Sequence, residues 1–411
     1  MRVALVTQEF GAGGGVSTAA HWLRDGLLST GDYDVDVHDL ATSRRDSSSR
    51  RIVSPRSWLR SSLCTIPRGE HGYIHWGANA VEIETMRYRP RAELARALRG
   101  YDIAQVVSGS PALASAVLRL GIPVMVQCAS TVAWERPWRL AAQARPSRVW
   151  RLTMTKLVSR IERNVLLKAD AVLVMNATML DYALVCGSRR VINAPPGVDP
   201  DVFFPSPGGW MRDGHLLSVC RLNDPRKGLE RMLRAYANLR QMESRAPSLI
   251  LAGGGKLPVT VYALLTSLGL SSHVTVRSDV DPRELPSLYR RASVFVQTSY
   301  EEGLGISVLE AMASGLPVVC TDTAGTRETV VDGVTGILVQ QEGDSLLPRV
   351  FAERIAQVLR GDGAGFGARA RERCQQEFST TVALRRFTDV YEDVLRAPVR
   401  LEDKHHPRTG R

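Results

Sequence analysis

The feature that most narrows what this chain can fold into is the stretch Thr298–Val339, TSYEEGLGISVLEAMASGLPVVCTDTAGTRETVVDGVTGILV. An apolar run, Ala292–Val296, leads into it and gives way at Ser299. The paired acids Glu301 and Glu302 follow, then Gly303 and Gly305, an amphipathic helix from about Ile306 to Ala313, and a second apolar run from Leu316 to Cys320. Strand, glycine-bearing turn, helix and strand in that order make a parallel unit. The turn then sits at the carboxyl edge of the sheet, where such folds bind ligands.

The spacing points to a chemistry. Backbone N–H groups at Gly303, Leu304 and Gly305, with the positive end of the helix dipole, make an anion site suited to a diphosphate. Glu302 stands just before the helix and Glu310 roughly 7 Å along it, at about 1.5 Å per residue. A diphosphate between them would have a carboxylate on each side, and a carboxylate can grip a vicinal diol. A surface acid and a mid-helix acid in any βαβ unit would look the same, so the pair by itself leaves both readings open.

With 411 residues the chain has room for two or three domains with their own cores. Apolar residues make up 44% and charged residues 23%, the balance of a globular protein. The net charge of +11 comes from arginine, since only Lys156, Lys168, Lys227, Lys256 and Lys404 are lysines, and no nucleic-acid-binding module accompanies it. The six cysteines are scattered without ligand-like spacing, which predicts reduced thiols in a cytoplasmic protein. MRVALVTQ reads as a first strand rather than a signal peptide, and no apolar run reaches membrane-spanning length.

Further strands are expected at Val3–Val6, Val35–Leu40, Tyr73–Trp76, Ile103–Val107, Pro123–Gln127 and Ala171–Met175, with helices between them, the doubly wound pattern. Gly11–Gly15 is a glycine-rich turn before a helix beginning near Ser17, suited to close approach of a phosphate or sugar. Ala41–Ser62, rich in Arg and Ser, reads as an exposed, mobile loop, and His75 as a hydrogen-bonded structural residue. Residues 134–168 are basic and aromatic-laced. They suit peripheral docking on an anionic membrane at its inner face, or an acidic acceptor, or simply a helix pair with Trp and Leu inward. The Pro/Gly-rich stretch Pro205–Gly214 divides the chain into 1–204 and 205–380, with a returning helix at 381–398 and a basic tail at 399–411.

Glu302 and Glu310, with seven residues between them and EAMASGLPVV running on from Glu310, together with Gly325, Glu328, Gly333 and Gly336, resemble the signature of the retaining glycosyltransferases of family 4. The resemblance covers about Val219 to Val339 closely and the N-terminal half in outline. It implies the GT-B architecture: α/β, with two doubly wound Rossmann-like domains facing a central cleft. It implies a nucleoside-diphosphate sugar as co-substrate, a hydroxyl acceptor, no metal and no other cofactor. By the same resemblance Glu302 meets the donor sugar, the backbone of Gly303, Leu304, Gly305 and Ile306 holds the diphosphate, and Glu310 binds the ribose. Arg221 and Lys227 stabilise the leaving diphosphate, the backbone near Arg277 meets the base, and Gly14 and Gly15 face the donor from the first domain. Many members carry a His at the end of the strand that here reads VQCAST, so Gln127 would stand in for it on the acceptor side. A catalytically silent sugar-nucleotide binder, or an epimerase or hydrolase on the same scaffold, are the alternatives.

Overall fold

The computed structural model describes residues 1–11, 14–59, 64–65, 72–136, 145–341 and 347–396. The tail at 399–411 and part of the 134–168 segment, with Trp138 and Arg139, lie outside the described residues.

Strands β1 (Arg2–Thr7), β2 (Asp34–Leu40), β3 (Cys64–Thr65), β4 (Tyr73–Trp76), β5 (Ile103–Ser108), β6 (Val124–Cys128), β7 (Ala171–Val174) and β8 (Val191–Asn193) form one sheet in the order β3-β4-β2-β1-β5-β6-β7-β8. Strands β9 (His215–Val219), β10 (Leu249–Gly253), β11 (Val274–Ser278), β12 (Ala292–Gln297), β13 (Val318–Thr321) and β14 (Ile337–Val339) form a second, ordered β11-β10-β9-β12-β13-β14. Every pairing is parallel except that of β3 with β4. The central strands β5 and β12 are buried along their whole length. Helices therefore cover both faces, and their sequences read as continuous rather than alternating apolar runs.

The order reverses at β1 in the first sheet and at β9 in the second, and crevices for ligands open at such points. The chain returns after the second sheet. Thr380–Arg396 is a helix whose apolar stripe lies on the first domain: Leu384 sits over Gly26, Phe387 packs edge-on to Trp22 at 5.5 Å, and Tyr391 donates its hydroxyl to Gln105 Oε1 at 3.1 Å.

Two expectations change. The stretch after β2 is not a loose loop in its described part. Asp46 reaches back to His75 Nε2 at 2.7 Å, Ser49 Oγ accepts Ala78 N at 2.8 Å, and Pro55–Leu59 forms a short 3-10 helix. Polar side chains that read as solvated turn out to bond the backbone and a buried imidazole, a pairing invisible to local composition. Of the described tryptophans in the 134–168 segment, Trp134 packs inward, edge-on to Tyr182 at 5.3 Å, and Trp150 does not. The helix Arg145–Lys168 buries Met154, Val158, Glu162, Val165 and Leu166 along one side, while Val149, Trp150 and Leu152 are exposed.

Candidate functional site

The stretch Thr298–Val339 folds at the carboxyl end of β12 into a turn and the helix Ile306–Ala313. The first helix amide with a backbone acceptor is that of Val308, bonded to Gly305 O at 2.8 Å, so the amides of Gly305, Ile306 and Ser307 point out of the helix start. Gly303 lies where the domains touch: a Cβ there would come within 2.5 Å of Ala129 Cβ, so only glycine allows this approach. Asn176 bridges the same seam, donating Nδ2 to Ala129 O at 3.0 Å and to Gly303 O at 2.6 Å.

Glu302 is the hub. Lys227 Nζ donates to its Oε1 at 2.7 Å, Ser299 Oγ at 2.6 Å and Gln297 Nε2 at 3.0 Å. Three donors on one oxygen fix the carboxylate, and the second oxygen keeps its lone pairs for another partner. Lys227 is delivered there by backbone. It closes the 3-10 turn Pro225–Lys227, and Gly228 follows with φ 62°, packed so tightly that a Cβ would meet Thr298 O at 2.2 Å. Tyr300 N donates to Arg226 O at 2.8 Å, tying that turn to the end of β12.

Arg221 follows β9 and projects across the cleft toward Gly14, whose ideal Cβ would stand 3.5 Å from Arg221 Cδ. Gly14 precedes the helix Gly15–Ser29, and Gly15 faces open space. Arg221 Nη2 donates to Asp224 Oδ2 at 3.1 Å, and Arg226 forks onto the same carboxylate. Burial works against the Asp224 charge, but the bonds and charge of Arg226 outweigh it and hold the carboxyl at about 2.

Glu310 sits one helical turn on from the amides. Tyr289 donates its hydroxyl to Glu310 Oε2 at 2.6 Å, while burial pushes the carboxyl up to about 7 against that bond. Burial, with Glu135 nearby, likewise lifts Glu301 to about 7, against the pull of Arg226 at 3.9 Å.

The part of the chain that builds most of this arrangement matches a known family. Residues 211–377 match the family model described as Glycosyl transferases group 1. The chain carries a group 1 glycosyltransferase domain. A mannosyltransferase of Mycolicibacterium smegmatis, named as GDP-mannose-dependent alpha-(1-6)-phosphatidylinositol monomannoside mannosyltransferase, is 34% identical over 44% of this chain and 51% of its own length. A D-inositol 3-phosphate glycosyltransferase of Streptosporangium roseum is 28% identical over 66% of this chain and 64% of its own. The chain thus spans about half the length of the first curated relatives it matches. Among solved structures, sucrose-phosphate synthase from Thermosynechococcus elongatus is similar with a TM-score of 0.70 at 20% identity, covering 96% of this chain and 99% of that one. HepE of Anabaena with UDP and glucose gives 0.68 at 16% identity, over 96% and 100%. The likeness establishes the two-domain Rossmann-like GT-B fold.

Within that glycosyltransferase fold, Glu302, Lys227, Gly303, Leu304, Gly305, Ile306 and Glu310 gather at one turn, and Gly14, Gly15 and Arg221 face one another across the cleft. Arg277 is farther out, on the sheet's outermost strand, with its guanidinium on Glu284 at 2.5 Å. Its neighbour Asp279 accepts Gly255 N at 2.8 Å and shapes the loop between. Gln127 is fully buried near the end of β6; its Nε2 donates to Ala194 O at 3.3 Å, while its Oε1 meets no hydrogen-bond partner among the described residues. Just past β6, Ala129 is the residue that meets Gly303 across the seam. Sequence reasoning also passed over Asn176, Glu135 and Arg226. Only Arg226, inside NDPRKG beside Lys227, carried a local signal.

Proposed function

We propose that this chain is a retaining, metal-independent glycosyltransferase that moves a sugar from a nucleoside-diphosphate donor to a hydroxyl acceptor. The observation that carries the reading is the convergence of Lys227, Ser299 and Gln297 on one oxygen of Glu302, beside an amide-lined helix start and opposite Arg221. A diphosphate fits the amides, and Arg221 and Lys227 supply the positive charge that its departure requires, the work a metal would otherwise do. As the anomeric C–O bond breaks, its electron pair goes to the diphosphate oxygen. The acceptor oxygen forms its bond on the same face and passes its proton to that departing oxygen, which retains the configuration. Glu302 suits a binder of donor-sugar hydroxyls better than a nucleophile, because its held oxygen is already committed to three donors. Glu310 suits the ribose diol. The reaction is placed at the cytoplasmic side, with peripheral contact to an anionic membrane through the exposed Val149, Trp150 and Leu152 and the cations Lys156 and Arg160 beside them.

The deciding experiment is a thermal-shift and turnover screen against UDP-, GDP-, ADP- and dTDP-sugars, with and without EDTA; the Mycolicibacterium relative's name makes GDP-mannose the first to try. One nucleotide class is expected to raise Tm, independent of EDTA, with the shift lost in Arg221→Ala. Glu302→Gln is expected to keep its Tm and lower kcat on the order of 100-fold or more. No shift with any donor, or full turnover in Glu302→Gln, refutes the assignment.

A further inference from the structure

A cavity of about 440 Å³ opens on the first-domain side of Arg226, and its walls carry five arginines against two glutamates. That volume admits a sugar- or polyol-sized molecule. Two of the five arginines are matched by carboxylates. Arg226 forks onto Asp224, and Arg136 donates to Glu84 and, at 2.6 Å, to Thr155 Oγ1. Glu135 takes Ser130 Oγ at 2.6 Å and faces Arg226 at 3.8 Å.

Arg87 is different. Its Nε donates to Val81 O at 2.8 Å, and the rest of the guanidinium lines the cavity with no carboxylate in salt-bridge range among the described residues. Arg44, exposed at the same cavity, and Arg136 both act on it. Burial holds Arg87 below the ordinary arginine value against the opposing pull of Glu84 and Tyr88, with smaller contributions in the same direction from these two like charges. Clustered guanidiniums in a recess repel one another and shed water, and an oxyanion relieves both penalties with paired N–H donors. The cavity therefore has a polar end, where Glu135 and Arg226 adjoin the Lys227–Glu302 pair, and a cationic wall at Arg44 and Arg87.

We propose that this cavity is the acceptor site and that it selects a polyol or sugar bearing an oxyanion, phosphate or carboxylate. Arg87 and Arg44 hold that group, and the acceptor's hydroxyls lie toward Glu135 and Arg226. The proposal rests on the glycosyltransferase reading above and names the substrate class for its second site.

Calorimetric titration of the whole chain tests it. Charged probes (inositol 1-phosphate and glucuronate) are compared with their neutral parents (inositol and glucose), with the donor site first saturated by the nucleoside diphosphate that raises Tm. The charged probe is expected to bind about tenfold or more tighter than its parent. Arg87→Ala and Arg44→Ala should each remove most of that preference while nucleotide affinity stays within about twofold, since Arg44 is exposed and neither residue touches the donor site. Preference for the phosphate over the uronate identifies the group's source. Equal binding of charged and neutral probes, absence of binding by either, or a preference that survives in both variants overturns the proposal. Failure of the donor reading shows separately, as no nucleotide binding by the wild-type chain; the charged-to-neutral comparison is then run without nucleotide on Arg221→Ala, where the same outcomes decide.

Discussion

Glu310 is held between two demands. Burial favours its neutral form, while its partner Tyr289 donates a hydrogen bond at 2.6 Å that favours the carboxylate, and the balance leaves the group near 7. A ribose diol donates two hydrogen bonds and therefore prefers the carboxylate. Nucleotide affinity should accordingly rise as pH increases from about 6 to about 8, by up to roughly tenfold. The ionisation of the nucleotide's own phosphate contributes to the same trend, so the measurement that isolates Glu310 is Kd against pH for the wild type and Glu310→Gln. The variant's profile should be flatter by the Glu310 contribution. Parallel profiles would remove Glu310 from ribose binding. At this scale Glu302, Lys227 and Glu310 were legible because each lies in a short local motif. The turn of Gln127 toward Ala194 O was not legible, because strand position says nothing about which way a fully buried side chain points.

Between elements, the first domain is clamped by one imidazole. His75 on β4 bonds Asp39 Oδ2 of β2 at 2.6 Å and Asp46 Oδ2 of the following stretch at 2.7 Å, while Asp39 Oδ1 accepts Phe10 N at 3.0 Å beside the glycine-rich turn. Desolvation opposes the imidazolium, but the bonds and charges of Asp39 and Asp46 prevail and raise it to about 9. The folded value lies above the unfolded one of about 6.5, so the stabilisation is fully present below about pH 6.5 and is lost as pH rises through about 9. On that basis His75→Asn should be less stable by on the order of 3 kcal/mol at pH 6, with the difference shrinking toward pH 10. Chemical denaturation of both proteins across that range checks it, and a pH-independent difference would show that the clamp is not ionic. The strands themselves could be read from apolar runs and turn residues. The clamp could not, since it joins residues 36 and 29 positions apart.

For the whole molecule, the helix Arg145–Lys168 leaves Val149, Trp150 and Leu152 in water next to Lys156 and Arg160. Co-sedimentation with anionic vesicles is expected, reduced by several hundred millimolar salt and by Trp150→Ala/Leu152→Ala; no binding, or equal binding to neutral vesicles, would remove the membrane contact. Among the described residues no helix is long and apolar enough to cross a membrane. What the sequence by itself determined was the stretch that carries the proposed donor site: strand, glycine turn, helix and two glutamates in one run, where chemistry and periodicity are local. What only the tertiary structure decided was much of what the first domain brings to the cleft. Asn176 across the Gly303 seam and the arginine-walled cavity beside Arg226 each unite residues far apart in the chain. Such meetings depend on how two sheets pack, and no local pattern encodes that.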